Sequence, residues 1–147
     1  VAKRPFTLDG GRELLDNLAA LPKSTQSGVL RRVMSKALKP IADEVKRDAP
    51  ERYGDLEESL IEGGKNKLNK RQRSLNKDRP KETQVHFGTA DPAGIANEFG
   101  NAHQRAQPFF RSAWEGGKEG ALRTIERDLG QEIVDTAARR ARRQRRR

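Results

Sequence analysis

The chain is 147 residues long, carries a net charge of +10 and has no cysteine, so disulfides and thiolate metal sites are excluded. One domain fits that length, and the core must be thin, because Leu, Ile, Val and Phe together supply only 29 residues. No apolar run is long enough for a signal-peptide core or a membrane span, so a soluble, non-secreted protein is expected, starting at Val1 after loss of an initiator Met.

At 4–11 Phe6 and Leu8 alternate with polar residues before Asp9-Gly10-Gly11, the pattern of a short strand and a turn. Residues 12–22 place Leu14, Leu15, Leu18 and Leu21 on one helical face, stopped by Pro22. The clearest periodicity lies at 24–49. Val29, Val33, Ala37, Ile41 and Val45 form one ridge at spacing four, and Leu30, Met34, Leu38 and Ala42 the next. This predicts a long amphipathic helix, capped by Ser24 or Thr25, bent near Lys36–Pro40 where Pro40 lacks an N–H, and ended by Pro50.

Leu56 and Leu60 fit a strand face or one helical turn, of which a strand within 55–62 is favoured, and alternation of Val85 and Phe87 marks a second strand at 82–90. The two would pair as a hairpin. Its loop is the run 65–81, expected to be without regular structure, where Lys65, Lys67, Lys70, Arg71, Arg73, Lys77, Arg79 and Lys81 face one acid, Asp78. Residues 91–100 read as a short helix or bend ending at Gly100. From Pro108 a last helix is predicted, with Leu122, Ile125, Leu129, Ile133 and Ala137 as its stripe and with Gly116-Gly117 able to divide it. The chain ends in Arg139, Arg140, Arg142, Arg143, Arg145, Arg146 and Arg147. The loop and the terminal run each contribute +7, which leaves −4 on the rest of the chain. Such blocks repel themselves unless an anionic partner neutralises them.

The fold class expected is α+β: a small antiparallel β-sheet packed by a long kinked helix and a C-terminal helix. Its single domain would cover 1–138, with a basic hairpin loop at 64–81 and an Arg-rich tail at 139–147.

Enzymatic signals are weak. Gly63-Gly64-Lys65 lacks the rest of a phosphate-cradling loop. His86, on the expected outer face of a strand, and His103, in a polar loop, read as solvated. Glu57, Glu58 and Glu62 read as a solvated face. No catalytic residue, metal site or cofactor is expected. Four of the seven aromatic residues fall within 97–115: Phe99, Phe109, Phe110 and Trp114. Phe99, one of the Phe109/Phe110 pair and Trp114 are expected to pack this junction onto the sheet, with Gly100 turning the chain, Pro108 opening the last helix, and Glu98 bridging to Arg105 or Arg111.

Taken in order, Ala49-Pro50, Gly54-x-Leu56-x-x-Ser59-Leu60, Glu98-Phe99-Gly100 and Gln107-Pro108-Phe109-Phe110 followed by a helix resemble the tailed-phage head–tail joining family. These are the gene-product-ten-like morphogenesis proteins, also described as tail-completion or neck proteins. The resemblance covers roughly residues 6–128, and the basic loop and Arg-rich end depart from it. It implies a structural virion protein that forms a ring between head connector and tail and assembles in the host cytoplasm. The implied partners are copies of itself, neighbouring neck and tail proteins such as connector, stopper and tail terminator, and DNA in the channel, with no membrane. The alternative is a basic nucleic-acid-binding protein that uses the loop and the Arg-rich end.

Overall fold

The computed structural model describes residues 11–50, 60–63, 70–75, 82–89 and 91–145. The elements are α1 (Gly11–Ala19), α2 (Lys23–Asp48), β1 (Leu60–Gly63), α3 (Lys70–Leu75), β2 (His86–Thr89), α4 (Pro92–Phe99) and α5 (Phe110–Gln144). The architecture is α+β: β1 and β2 form a two-stranded antiparallel sheet beside long helices. The strand expected within 4–11 falls on residues up to 10, which, with Gly54 and Leu56 of the motif and basic residues Lys65, Lys67, Lys77, Arg79, Lys81, Arg146 and Arg147, lie outside the described residues.

The spacing-four ridge of α2 is the core. Val29, Val33, Ala37, Ile41 and Val45 are all buried, as is Ala42 of the neighbouring ridge. Burying such a stripe is what stabilises an amphipathic helix against a partner, and the partner is α5. Near one end, Val29 packs with Ile133 and with Leu18 of α1. Near the other, Ile41 and Val45 pack with Phe109 and Ala113. The two long helices therefore run in opposite directions, laced by Arg32–Glu132 at 2.7 Å and Lys36–Asp128 at 2.6 Å.

Several local expectations are corrected. Leu15 does not share the buried face of α1 and is 64% exposed, whereas Leu18 is buried with Leu14 and Leu21 beside it. Ser24 and Thr25 do not cap α2. The helix begins at Lys23 after Pro22, with no side-chain cap, and Gln26 Nε2 instead donates to the Leu21 carbonyl at 2.5 Å, tying the α1–α2 turn together. Pro40 lies inside α2, as expected, without ending it. Part of the basic run is not a loop: residues 70–75 form α3, whose lack of apolar periodicity hid it from pattern reading. On α5, Ala137 is exposed and Thr136 takes the buried position.

Gly116 and Gly117 do not divide α5, which is one helix of 35 residues. Glycine is a poor helix former, but here it sets the approach of the two long helices. A Cβ at Gly117 would fall well inside van der Waals contact of Ile41 Cγ1, whereas one at Gly116 would meet Glu44 Oε1 at an ordinary 3.9 Å. Gly117→Val is accordingly expected to cost about 1–3 kcal/mol by forcing the helices apart, read as a lower urea midpoint. An unchanged midpoint would contradict the close approach.

The hairpin pairs Leu60 with Thr89, Ile61 with Gly88, Glu62 with Phe87 and Gly63 with His86. Leu60 and Phe87 pack on the core where α2 ends and α5 begins, so the sheet covers one end of the helix pair. His86 is half-buried rather than solvated, its Nε2 shielded without a hydrogen-bond partner among the described residues. His103 is exposed.

Candidate functional site

The aromatic segment forms a junction between α4 and α5. Asp91 caps α4, its Oδ1 accepting from Ala93 N at 2.8 Å, and Pro92 supplies a pre-set first position. The helix stops at Gly100, whose φ of 75° lies in the left-handed region, and a Cβ there would come within 2.8 Å of Ala106 N. Both constraints demand glycine. Asn101 then organises the turn, its Oδ1 accepting from His103 N and Gln104 N. Asn97, buried, holds the returning segment: its carbonyl accepts from Gln107 N and its Oδ1 from Gln104 Nε2.

Glu98 is the hub. Its carboxylate, 6% exposed, accepts from the backbone N–H groups of Phe109 and Phe110 at 2.9 Å and of Arg111 at 3.1 Å, and from Arg111 Nε at 2.9 Å. Arg111 also donates through Nη2 to the Glu98 carbonyl. The first N–H groups of a helix have no intrahelical acceptor, and a carboxylate at that end is favoured by the helix dipole. Glu98 thus caps α5 from another helix. Arg105 plays no part in this ion pair.

Above this hub the aromatics separate into two groups. Phe109 is buried, and Phe110 lies between Phe109 and Phe87 of β2, its ring tilted to both, with ring centroids 4.7 and 5.7 Å away. Phe99 and Trp114 do not pack beneath the junction as expected. They are 66% and 49% exposed, and the Phe99 ring lies 5.2 Å from the Arg111 guanidinium. Trp114 instead edges an apolar groove of about 450 Å³ between α2 and α5, lined by Met34, Leu38, Val85, Leu122 and Ile125 among others. Ile95, one turn before Phe99 on α4, is also exposed.

A model of the HK97-gp10-like family, described as "Bacteriophage HK97-gp10, putative tail-component", matches residues 12–89. The chain belongs to this family. The matched stretch takes in α1, α2, β1, α3 and β2, so the HK97-gp10-like region supplies the α2 wall of the groove, while Glu98, Phe109 and Trp114 lie beyond it. No curated protein and no solved structure matches the chain.

The remaining sequence-derived residues of this HK97-gp10-like chain fall in three places. Pro50 follows the α2 C-cap Ala49, and Pro108 lies two residues before α5, its carbonyl accepting from Ser112 Oγ. Lys70, Arg71 and Arg73 sit on α3, away from the arginines of the chain end in sequence and on a separate element. Arg139, Arg140, Arg142 and Arg143 are part of α5, and Arg145 is its C-cap.

At that end of α5 a charged cluster forms that sequence reasoning missed. Glu132 accepts from Arg32 of α2 and from Arg139, each at 2.7 Å. Buried Thr136 accepts from the same two guanidiniums at 3.1 and 2.8 Å. Arg140 reaches toward Thr25 Oγ1 at 3.4 Å. Arg32 and Glu132 are a hundred residues apart, and no local pattern joins them.

Burial alone would raise the Glu98 carboxyl, but Arg111 and three backbone donors outweigh it and hold it below the usual carboxylate range. Glu132 is likewise lowered, Arg32 and Arg139 outweighing its burial. Asp128 is held down to about 2 by Arg127 and then Lys36. The unfolded chain therefore binds more protons than the folded one in acid. The stability contributed above the ordinary carboxylate range, about pH 4, is lost as pH falls through the lowered folded values. Urea midpoints are expected to fall on acidification from about pH 5, with a shallower slope in Glu98→Gln. An identical slope in that variant would remove Glu98 from the account.

Proposed function

We propose that this phage tail-component family member is a structural protein of the neck, forming a ring of its own copies between head connector and tail. The role requires no catalysis. Its other partners would be the neighbouring connector or stopper and the tail terminator, with DNA passing through the channel. It would reside in the virion after assembly in the host cytoplasm. Among the described residues, no group of His, Asp and Glu is placed to hold a metal ion, and no helix is long and apolar enough to cross a membrane.

The observation that carries the ring reading is the apolar groove. A chain this poor in apolar residues leaves Trp114 half-exposed beside it, and leaves Ile95 and Phe99 outward on α4. Large aromatics at an interface give much buried area for few residues. The proposed contact sets the Ile95–Phe99 ridge of one copy into the Trp114 groove of the next. Two different surfaces then meet head to tail, the kind of contact that closes into a ring.

Light scattering and negative-stain microscopy of the purified chain test this. The parent is expected to form closed oligomers. Trp114→Arg is expected to give monomers whose melting temperature stays within a few degrees of the parent. A parent that stays monomeric at its highest soluble concentration, or a Trp114→Arg variant that assembles normally, would refute the groove contact.

A further inference from the structure

Where α5 ends beside the start of α2, Arg32, Arg139, Arg140 and Arg143 converge with Ser24 and Thr25 on a cleft of about 250 Å³. We propose that this cleft is a binding site for the phosphate backbone of duplex DNA. The assignment deepens the neck reading by placing the DNA contact, and it rests on that reading only for which polyanion arrives.

The chemistry begins with charge. Four guanidiniums line the cleft, and Glu132, which pairs with Arg32 and Arg139, is the carboxylate bonded to them. Three positive charges remain in excess. Arg140 and Arg143 have no carboxylate partner among the described residues, although acidic side chains are numerous elsewhere on the long helices. Concentrating cations without counter-charges costs self-repulsion, which a bound anion would relieve.

The geometry is built rather than accidental. Glu132 and buried Thr136 clamp Arg32 and Arg139 from two different helices, fixing their guanidinium planes before any ligand arrives. A pre-oriented guanidinium loses less freedom on binding than a free one. The donors also approach from several directions. Arginines come from α5 and α2, and the hydroxyls of Ser24 and Thr25 sit in the first turn of α2, an end with no side-chain cap. A planar carboxylate is satisfied by one arginine fork. A tetrahedral phosphate, with oxygens pointing several ways, uses donors placed around it. An extended polyanion also suits the site, because Arg140 and Arg143, three residues apart on α5, line it along the helix axis.

The test measures binding of a short fluorescein-labelled mixed-sequence DNA duplex to the full chain by anisotropy, across a series of salt concentrations. Arg140→Ala/Arg143→Ala is expected to weaken binding about tenfold or more and to reduce the slope of log K against log salt by about two. Arg32→Ala, outside the terminal arginine run, is expected to weaken it several-fold. Lys46→Ala/Arg123→Ala, which removes the same charge from exposed positions elsewhere, is expected to change it far less. Circular dichroism of each variant must match the parent, and Arg140→Lys/Arg143→Lys, which keeps charge and fold, is expected to recover most of the affinity. Equal losses in the cleft and control pairs, unchanged binding in Arg32→Ala, or stronger competition from poly-glutamate than from unlabelled duplex would overturn the assignment. All of these are read without reference to ring formation, so a failure here leaves the oligomer test standing, and the reverse.

Discussion

Phe109→Ala is expected to cost about 3–5 kcal/mol of stability, whereas Phe99→Ala costs the fold little. The two residues differ in surroundings, not in chemistry. Phe109 is 3% exposed, in one core cluster with Ile41, Val45 and Ala113, and the Phe110 ring packs tilted against it. Truncation there removes the largest buried side chain at the point where α2, α5 and the sheet meet. The cavity would be bounded by helix backbone that Glu98 holds in place, so collapse into it is limited. Phe99 sits 66% exposed with Arg111 over its ring, and a cation–π contact at so open a position contributes about 0.5–1 kcal/mol. In the proposed ring Phe99 matters for association instead. Urea denaturation of both variants, with light scattering on the same samples, separates the two effects. Equal destabilisation by both would contradict the division between buried and outward aromatics.

Glu98→Ala should cost about 3 kcal/mol or more. Removing the carboxylate strands the buried N–H of Phe109 and the part-buried N–H groups of Phe110 and Arg111, and leaves Arg111 without its anion. Each unsatisfied buried donor costs about 1–3 kcal/mol. The Arg111 side chain itself is 60% exposed, so its pairing adds little, and the backbone donors dominate. Glu98→Gln keeps an acceptor and should lose markedly less. For a chain of this length a loss of 3 kcal/mol corresponds to a melting temperature lower by about 10 °C. Arg111→Ala should fall well short of Glu98→Ala. If the two variants melt alike, the ion pair rather than the cap carries the junction.

The basic segments illustrate a different problem. Composition marked both of them, but it could not tell that residues 70–75 form a helix. Charged residues carry no periodic apolar signal, so a helix made mostly of them is invisible to pattern reading. Neither could composition show that Arg32 joins Arg139 around Glu132. That cluster exists because α2 and α5 run in opposite directions and bring the start of one to the end of the other.

The residue pattern is enough for the elements whose signal is local. The spacing-four ridge of α2 left one helical face to bury. Alternation at Val85 and Phe87 marked the β2 strand, and Gly100 marked the stop of α4, since few other residues accept its backbone angle. It also carried the order of short motifs by which the phage tail-component family was recognisable. Tertiary structure alone decided the rest. Glu98 chose Arg111 over Arg105 because the start of α5 delivers three N–H groups and a guanidinium to one carboxylate. Gly117 stayed helical because Ile41 needs its space, and Phe109 went inside while Trp114 stayed half-open, because α2 and the sheet cover only one side of α5. Local sequence encodes which face of an element is apolar; which apolar residues are covered depends on the partner that arrives, and that partner comes from residues far away in the chain.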